Sequence, residues 1–125
     1  MLRPLNAALF TLATASAGGQ IVFDGSMGAK GALVPSGMDG EILAVGQDLG
    51  TTVGPNLFHS FCEFSVPDGS TAVFQGNAGL ANILARVTGT SMSDILGTIE
   101  TEGTSANLFL MNPNGIMFGP KARVN

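Results

Sequence analysis

The 125-residue sequence has no Trp, no Tyr, one Cys, one His and only five Lys and Arg. A single thiol forms no intramolecular disulfide, so Cys62 excludes a disulfide-stapled mini-protein and a cysteine-based zinc site, and it does not identify the redox compartment. Five scattered cations make neither a nucleic-acid footprint nor a polybasic membrane patch, so no nucleic-acid partner is expected. The formal charge of −4 rests on nine dispersed carboxylates and only weakly suggests a basic partner. The long Ala-, Leu-, Glu- and Lys-rich stretches of an all-helical protein are missing. Also missing is any apolar run of the roughly 20 residues needed to span a bilayer as a helix.

What is present is glycine, 18 residues of it, with hydrophobic residues at 45% and charged ones at only 11%. A chain of this length holds one domain at most, and its composition is not that of a disordered, self-repelling polymer. Turn signals recur at Asp24-Gly25, Pro35-Ser36-Gly37, Asp39-Gly40, Asp68-Gly69, Asn77-Ala78-Gly79 and Pro113-Asn114-Gly115. They leave segments of roughly 5 to 10 residues, which is strand length.

Residues 1–17 read as a leader. Arg3 supplies a small positive region, Leu5 to Ala15 is mostly apolar, and Ala15-Ser16-Ala17 fits the small-x-small rule read by signal peptidase. Cleavage after Ala17 is expected, leaving a mature chain that begins Gly18-Gly19-Gln20-Ile21 and has left the cytoplasm. The alternative is a buried N-terminal strand or short helix.

In the remainder, the clearest strand runs from Phe58 to Val66. Phe58, Ser60, Cys62, Phe64 and Val66 are expected to face the core, with His59, Phe61, Glu63 and Ser65 opposite. Thr71 to Gln75, Ile95 to Glu100, Asn107 to Met111 and Ile116 to Phe118 read as further strands. Asn82 to Val87 fits either a helical turn or a strand. Several strands are apolar on both faces, which suits stacked, buried sheets. No exact repeat is visible, so periodicity alone supports only an exported, turn-rich all-β chain.

More specific information lies in ordered blocks between Asn56 and Pro120. These are Asn56-Leu57-Phe58-His59-Ser60-Phe61, Phe64-Ser65-Val66-Pro67, Asn82-Ile83-Leu84-Ala85-Arg86-Val87-Thr88-Gly89, Ile95-Leu96-Gly97-Thr98-Ile99, and Asn107 through Pro120 with its Asn112-Pro113-Asn114-Gly115 turn. In order and spacing they resemble the N-terminal haemagglutination-activity, or two-partner-secretion, domain of filamentous-haemagglutinin-like proteins. Gln20-Ile21 and Asp24-Gly25-Ser26-Met27-Gly28 resemble the start of the mature domain.

The resemblance covers essentially all of residues 18–125. It implies a right-handed, single-stranded, pectin-lyase-like parallel β-helix with an N-terminal cap, and no cofactor. It implies export across the inner membrane and recognition by an outer-membrane β-barrel transporter with periplasmic POTRA domains. The product would be secreted or held at the surface of a Gram-negative-type envelope, facing a host or neighbouring cell. Members act as adhesins, haemagglutinins, haemolysins or contact-dependent growth inhibitors, with the shared domain supplying the secretion address.

The sequence departs from that pattern in two places. Cys62 stands where a small hydroxyl residue is more usual. The chain also stops at Asn125, where members continue through more coils, so residues 18–125 are expected to be a truncated, N-terminal part of the domain.

Asn56, Leu57, Phe58, Asn112, Pro113, Asn114 and Gly115 are the candidates for contact with the transporter. Each has a structural reading beside it: the tetrapeptide is a turn by composition, and Leu57, Phe58 and Phe61 suit a core. His59 lacks the partners that catalysis or metal binding requires. Cys62, on the expected core face, is no nucleophile. Asp94 and Glu100 form no convincing acid pair, Glu100 and Glu102 read as a solvated face, and Arg86 is expected to pair with one of them. The expected function is therefore a non-enzymatic secretion-address module. The competing readings are a β-helical polysaccharide-acting enzyme, which would need a charged cluster on one face, and a truncated non-functional remnant.

Overall fold

Segments this short cannot repay the cost of nucleating a helix, and they gain more by pairing edge to edge. The computed structural model describes residues 20–125; the expected leader lies outside the described residues. In chain order the strands are β1 (Ile21–Asp24), β2 (Lys30–Leu33), β3 (Ile42–Val45), β4 (Thr51–Val53), β5 (Asn56–Phe64), β6 (Thr71–Gln75) and β7 (Asn82–Val87). They continue with β8 (Ser93–Ile95), β9 (Thr98–Glu102), β10 (Asn107–Met111), β11 (Ile116–Phe118) and β12 (Arg123–Val124), and a 3-10 turn at Gln47–Leu49 precedes β4.

Strands recur on three faces. β5, β7 and β10 stack in parallel on the first, with Asn56, Asn82 and Asn107 in register. β8 and β11 stack on the second, where Val66 makes a single parallel bridge to Ile95. β3, β6, β9 and β12 form the third, also parallel. Together they make a right-handed parallel β-solenoid of about 3 turns, all-β and consistent with a pectin-lyase-like β-helix. Equivalent positions lie 26 residues apart at Asn56 and Asn82 and 27 apart at Gln75 and Glu102. The repeat is one of backbone register rather than of residue identity, which is why the sequence does not display it.

Inside, columns of side chains run along the solenoid: Leu57 with Ile83 and Leu108, Leu43 with Ala72 and Ile99, and Phe61 with Val87. The first coil is filled with aromatic rings. Phe61 lies 5.1 Å from both Phe23 and Phe64, and Phe64 lies 5.7 Å from Phe74, centroid to centroid. Such pairs each contribute about 0.5–1.5 kcal/mol beyond the burial of their area.

The N-terminal end is closed by antiparallel strands. An uncovered β5 would expose a row of unpaired backbone groups. β4 pairs with its first residues, Asn56 to Phe58, and β1 with its last, Phe61 to Phe64, while β2 continues outward from β1.

Several expectations need correction. The buried residues of β5 are Leu57, His59, Ser60, Phe61 and Phe64; Phe58 is half-buried and Cys62 exposed. The expected core face holds at Phe64 and Val66, and Ser60 is buried, but Phe58 and Cys62 are not while His59 and Phe61 are, so the inward alternation changes phase within the strand. The cause is a bulge: Phe23 pairs with Phe61 and Val22 with Glu63, so Cys62 has no partner. One extra residue shifts the alternation, which allows Phe61 and Phe64 to point inward together. The strand ends at Phe64, and Ser65-Val66 turn the corner. Ile95 to Glu100 is likewise two strands on different faces, divided at Leu96-Gly97, whose N–H groups donate to the Val66 carbonyl at 2.8 and 3.2 Å. Asn82 to Val87 is a strand, held on both edges.

Candidate functional site

Four short polar side chains and one arginine join the cap to the first two coils. The turn after β1 begins with Asp24, whose Oδ1 accepts from the Ser26 N–H at 2.9 Å and the Ser26 hydroxyl at 2.7 Å. This is the local bonding that makes Asp a turn former. Its other oxygen, Oδ2, accepts from Ser60 on β5 and from Thr88 just past β7, both at 2.6 Å. Arg86 donates from Nε to Ser60 at 2.8 Å and from its terminal nitrogen to Ser26 at 3.1 Å. Arg86 is thus committed to the cap hydroxyls, and the expected pairing with Glu100 or Glu102 does not form. Partial burial works against ionisation of Asp24, but the donors Ser60, Thr88 and Ser26 outweigh it and hold the carboxyl well below the usual range.

The two candidate motifs lie far apart. Asn56, Leu57 and Phe58 open β5 in the first coil. The Asn56 side-chain oxygen accepts from the Asn82 amide at 3.0 Å, so these asparagines form one step of a ladder along the solenoid. Leu57 is 0% exposed and belongs to the core. Phe58 alternates onto the outer surface, where it lies in register with Leu84 and, one coil further, Phe109.

Asn112-Pro113-Asn114-Gly115 follows the opposite end of β10, in the third coil. The Gly115 N–H donates to the Asn112 carbonyl at 3.0 Å, closing the turn, and Gly115 has φ of 105°, a conformation that favours glycine. The Asn112 amide reaches back to the Ser91 carbonyl at 3.0 Å and the Ser93 hydroxyl at 2.9 Å. The Asn114 amide reaches the Gly89 carbonyl at 2.8 Å. The turn is therefore tied to the corresponding corner of the coil before it, with Pro113 exposed. Because the two motifs occupy different coils and opposite strand ends, they do not make a single site.

His59 and Cys62 supply no reactive pair. His59 is 1% exposed, packs on Phe61 and Phe74, and neither ring nitrogen has a hydrogen-bond partner. Burial lowers its pKa to about 4, with the Leu49 backbone acting the other way, so the ring is neutral at pH 7. Gly50 makes room for it: a Cβ there would lie 2.8 Å from the imidazole. Cys62 lies at the bulge, exposed, rather than in the core. Among the described residues, no group of three or more His, Cys, Asp or Glu is placed to hold a metal ion.

Asp24, Ser60 and Thr88 are the residues that sequence reasoning passed over. By sequence, Asp24-Gly25 reads as a turn and as part of the block resembling the start of the mature domain, with no bonding role for the carboxylate. The signal available was a carboxylate and a set of small hydroxyl residues in an otherwise apolar chain, but nothing in the sequence joins positions 24, 60 and 88.

The family described as the TPS secretion domain matches residues 11–125. No curated protein and no solved structure matches the chain.

Proposed function

The chain belongs to the TPS secretion domain family, and from that premise we propose that its cognate transporter is an outer-membrane β-barrel with periplasmic POTRA domains. The domain is the secretion-address module of a two-partner-secretion exoprotein. Such modules are non-catalytic and direct export through a cognate transporter, to the medium or the surface of a Gram-negative-type envelope. In the proposed route, residues 1–17 carry the chain across the inner membrane and are removed, and residues 18–125 are then read in the periplasm. The exported protein is an adhesin- or haemagglutinin-like molecule that meets a host or neighbouring cell.

The observation that carries this reading is the family match from residue 11 to residue 125. Among the candidate contacts, Asn56, Phe58, Pro113 and Asn114 have side-chain surface available on the folded domain. Leu57 is wholly buried, so its side chain contributes to recognition only while the chain is unfolded. Gly115 and Asn112 shape the turn that presents Pro113 and Asn114.

A reporter fused behind residues 18–125, with the leader in place, tests the proposal. Release into the medium is expected only when the cognate transporter is co-expressed. Equal release in its absence would overturn the secretion route.

A further inference from the structure

The cap closes the first face of the solenoid but not the third. β3 pairs with β6 alone, and among the described residues no strand pairs with its other edge. In a parallel ladder, successive residues of a strand turn their backbone groups alternately to its two sides. The Thr71 N–H donates to the Glu41 carbonyl at 2.8 Å, and β3 runs in register from Ile42 opposite Thr71 to Val45 opposite Phe74. That phase commits the backbone of Glu41, Leu43 and Val45 to β6. The N–H and C=O groups of Ile42 and Ala44 therefore point away from the sheet, leaving four hydrogen-bonding groups along one edge.

Edge strands are commonly protected by a charge, a proline or a bulge within the strand. Ile42-Leu43-Ala44-Val45 has none of these. Its charges stand at the two ends instead. Glu41 precedes the strand and accepts the Ser36 N–H at 2.9 and 3.0 Å, Asp39 lies against Gly69 at the foot of β6, and Asp48 lies against Gly46 just beyond Val45. Among the described residues no Lys or Arg forms an ion pair with any of the three. Beside them Met38 and Ile42 present apolar side chains to solvent, 71% and 59% exposed.

This charge pattern selects the occupant. A second copy paired through its own β3 would bring the same three carboxylates from the other side, and like charges brought together oppose that pairing. A strand with cations at its ends meets the opposite field. We propose that β3 is a strand-addition site for an extended peptide segment of another protein, uncharged and β-branched in its middle and basic at its ends. The segment exchanges backbone hydrogen bonds with Ile42 and Ala44, lays an apolar side chain beside Ile42 and Met38, and sets Lys or Arg near Asp39, Glu41 and Asp48. The site is separate from Asn56, Phe58, Pro113 and Asn114, and it does not depend on the secretion route.

The probe is a synthetic peptide of alternating threonine and valine with two lysines at each end, compared with the same peptide carrying glutamates in place of the lysines. Hydrogen exchange is followed on the full chain. The lysine peptide should slow exchange of the Ile42 and Ala44 amides at least about 10-fold, and the glutamate peptide should leave both unchanged. Ala44→Pro removes a donor that β6 does not use and obstructs the edge, so the unfolding midpoint should hold while protection at Ile42 is lost. Asp39→Asn combined with Asp48→Asn, both at exposed positions, leaves the edge intact and should weaken binding of the lysine peptide about 10-fold. No slowing at Ile42 and Ala44 overturns the proposal, as does equal slowing by the glutamate peptide. A dimer that forms without peptide and is abolished by Ala44→Pro would also overturn it, since the occupant would then be a second copy.

Discussion

The Ser60 hydroxyl donates to the Asp24 carboxylate at 2.6 Å while accepting from Arg86 Nε at 2.8 Å, so a buried serine stands between an acid and a base from different parts of the fold. Asp24 comes from the cap, Ser60 from the first coil and Arg86 from the second. One carboxylate thereby fixes where the cap sits on the solenoid.

Asp24→Ala should loosen the cap. Hydrogen bonds to a charged group contribute about 1.5–3 kcal/mol each, and losing the shared acceptor of three hydroxyls is expected to cost about 2–4 kcal/mol after partial solvent screening. Chemical denaturation of the variant would show the loss as a lower midpoint. The ionised form is the one favoured in the fold, so Asp24 contributes its stability above the ordinary aspartate pKa of about 3.9 and loses it as the pH falls below that value.

His59 acts over a higher pH window. Its folded pKa is lowered to about 4 from an ordinary 6.5, so between these values the unfolded chain binds the extra proton and acid favours unfolding. Its effect is absent above pH 6.5 and grows to completion as the pH falls through 4. From pH 7 to pH 5 the protein should lose about 2 kcal/mol on this account, since each pH unit inside the window is worth about 1.4 kcal/mol. His59→Leu should flatten the change between pH 7 and pH 5. A thermal midpoint in this variant that falls as steeply as in wild type would count against the assignment.

The Asn-Pro-Asn-Gly turn allows structure and recognition to be separated. Asn112→Ala removes two hydrogen bonds to the preceding coil and is expected to cost about 1–2 kcal/mol. Pro113→Ala, at an exposed position, should change stability by no more than about 0.5 kcal/mol. If Pro113→Ala nevertheless reduces transporter-dependent release, Pro113 is a contact. If only Asn112→Ala does so, the turn matters through the fold.

Cys62 should be modified in the native protein. Because the bulge turns it outward, a bulky maleimide is expected to label it in buffer at close to the rate seen in denaturant, without lowering the unfolding midpoint. Protection until unfolding would place the thiol in the core.

Leu57 and Phe58 are adjacent and apolar but have opposite roles. Leu57→Ala removes a fully buried side chain from a column shared with Ile83 and should cost about 2–5 kcal/mol. Phe58→Ala, on the half-exposed outer surface, should cost much less. Denaturation midpoints of the two variants rank them directly.

The sequence by itself determined the class of element and the places where elements end. Gly, Asn and Pro punctuate the chain so often that only strands fit, and the ordered blocks from Asn56 to Pro120 were enough to point to a capped β-solenoid with a secretion role. The strands at Thr71–Gln75, Asn107–Met111 and Ile116–Phe118 follow from local pattern alone. Which way β5 faces was not legible, because both of its alternations are rich in apolar side chains and one unpaired residue at Cys62 reverses the phase. Only β1, in register with both sides of that bulge and pairing Phe23 with Phe61 and Val22 with Glu63 from far earlier in the chain, decides it. The same holds for the Asp24 network and for the corner at Leu96-Gly97. Each depends on residues a coil apart being brought to within a hydrogen bond, and spacing along the chain carries no trace of that until the coils are stacked.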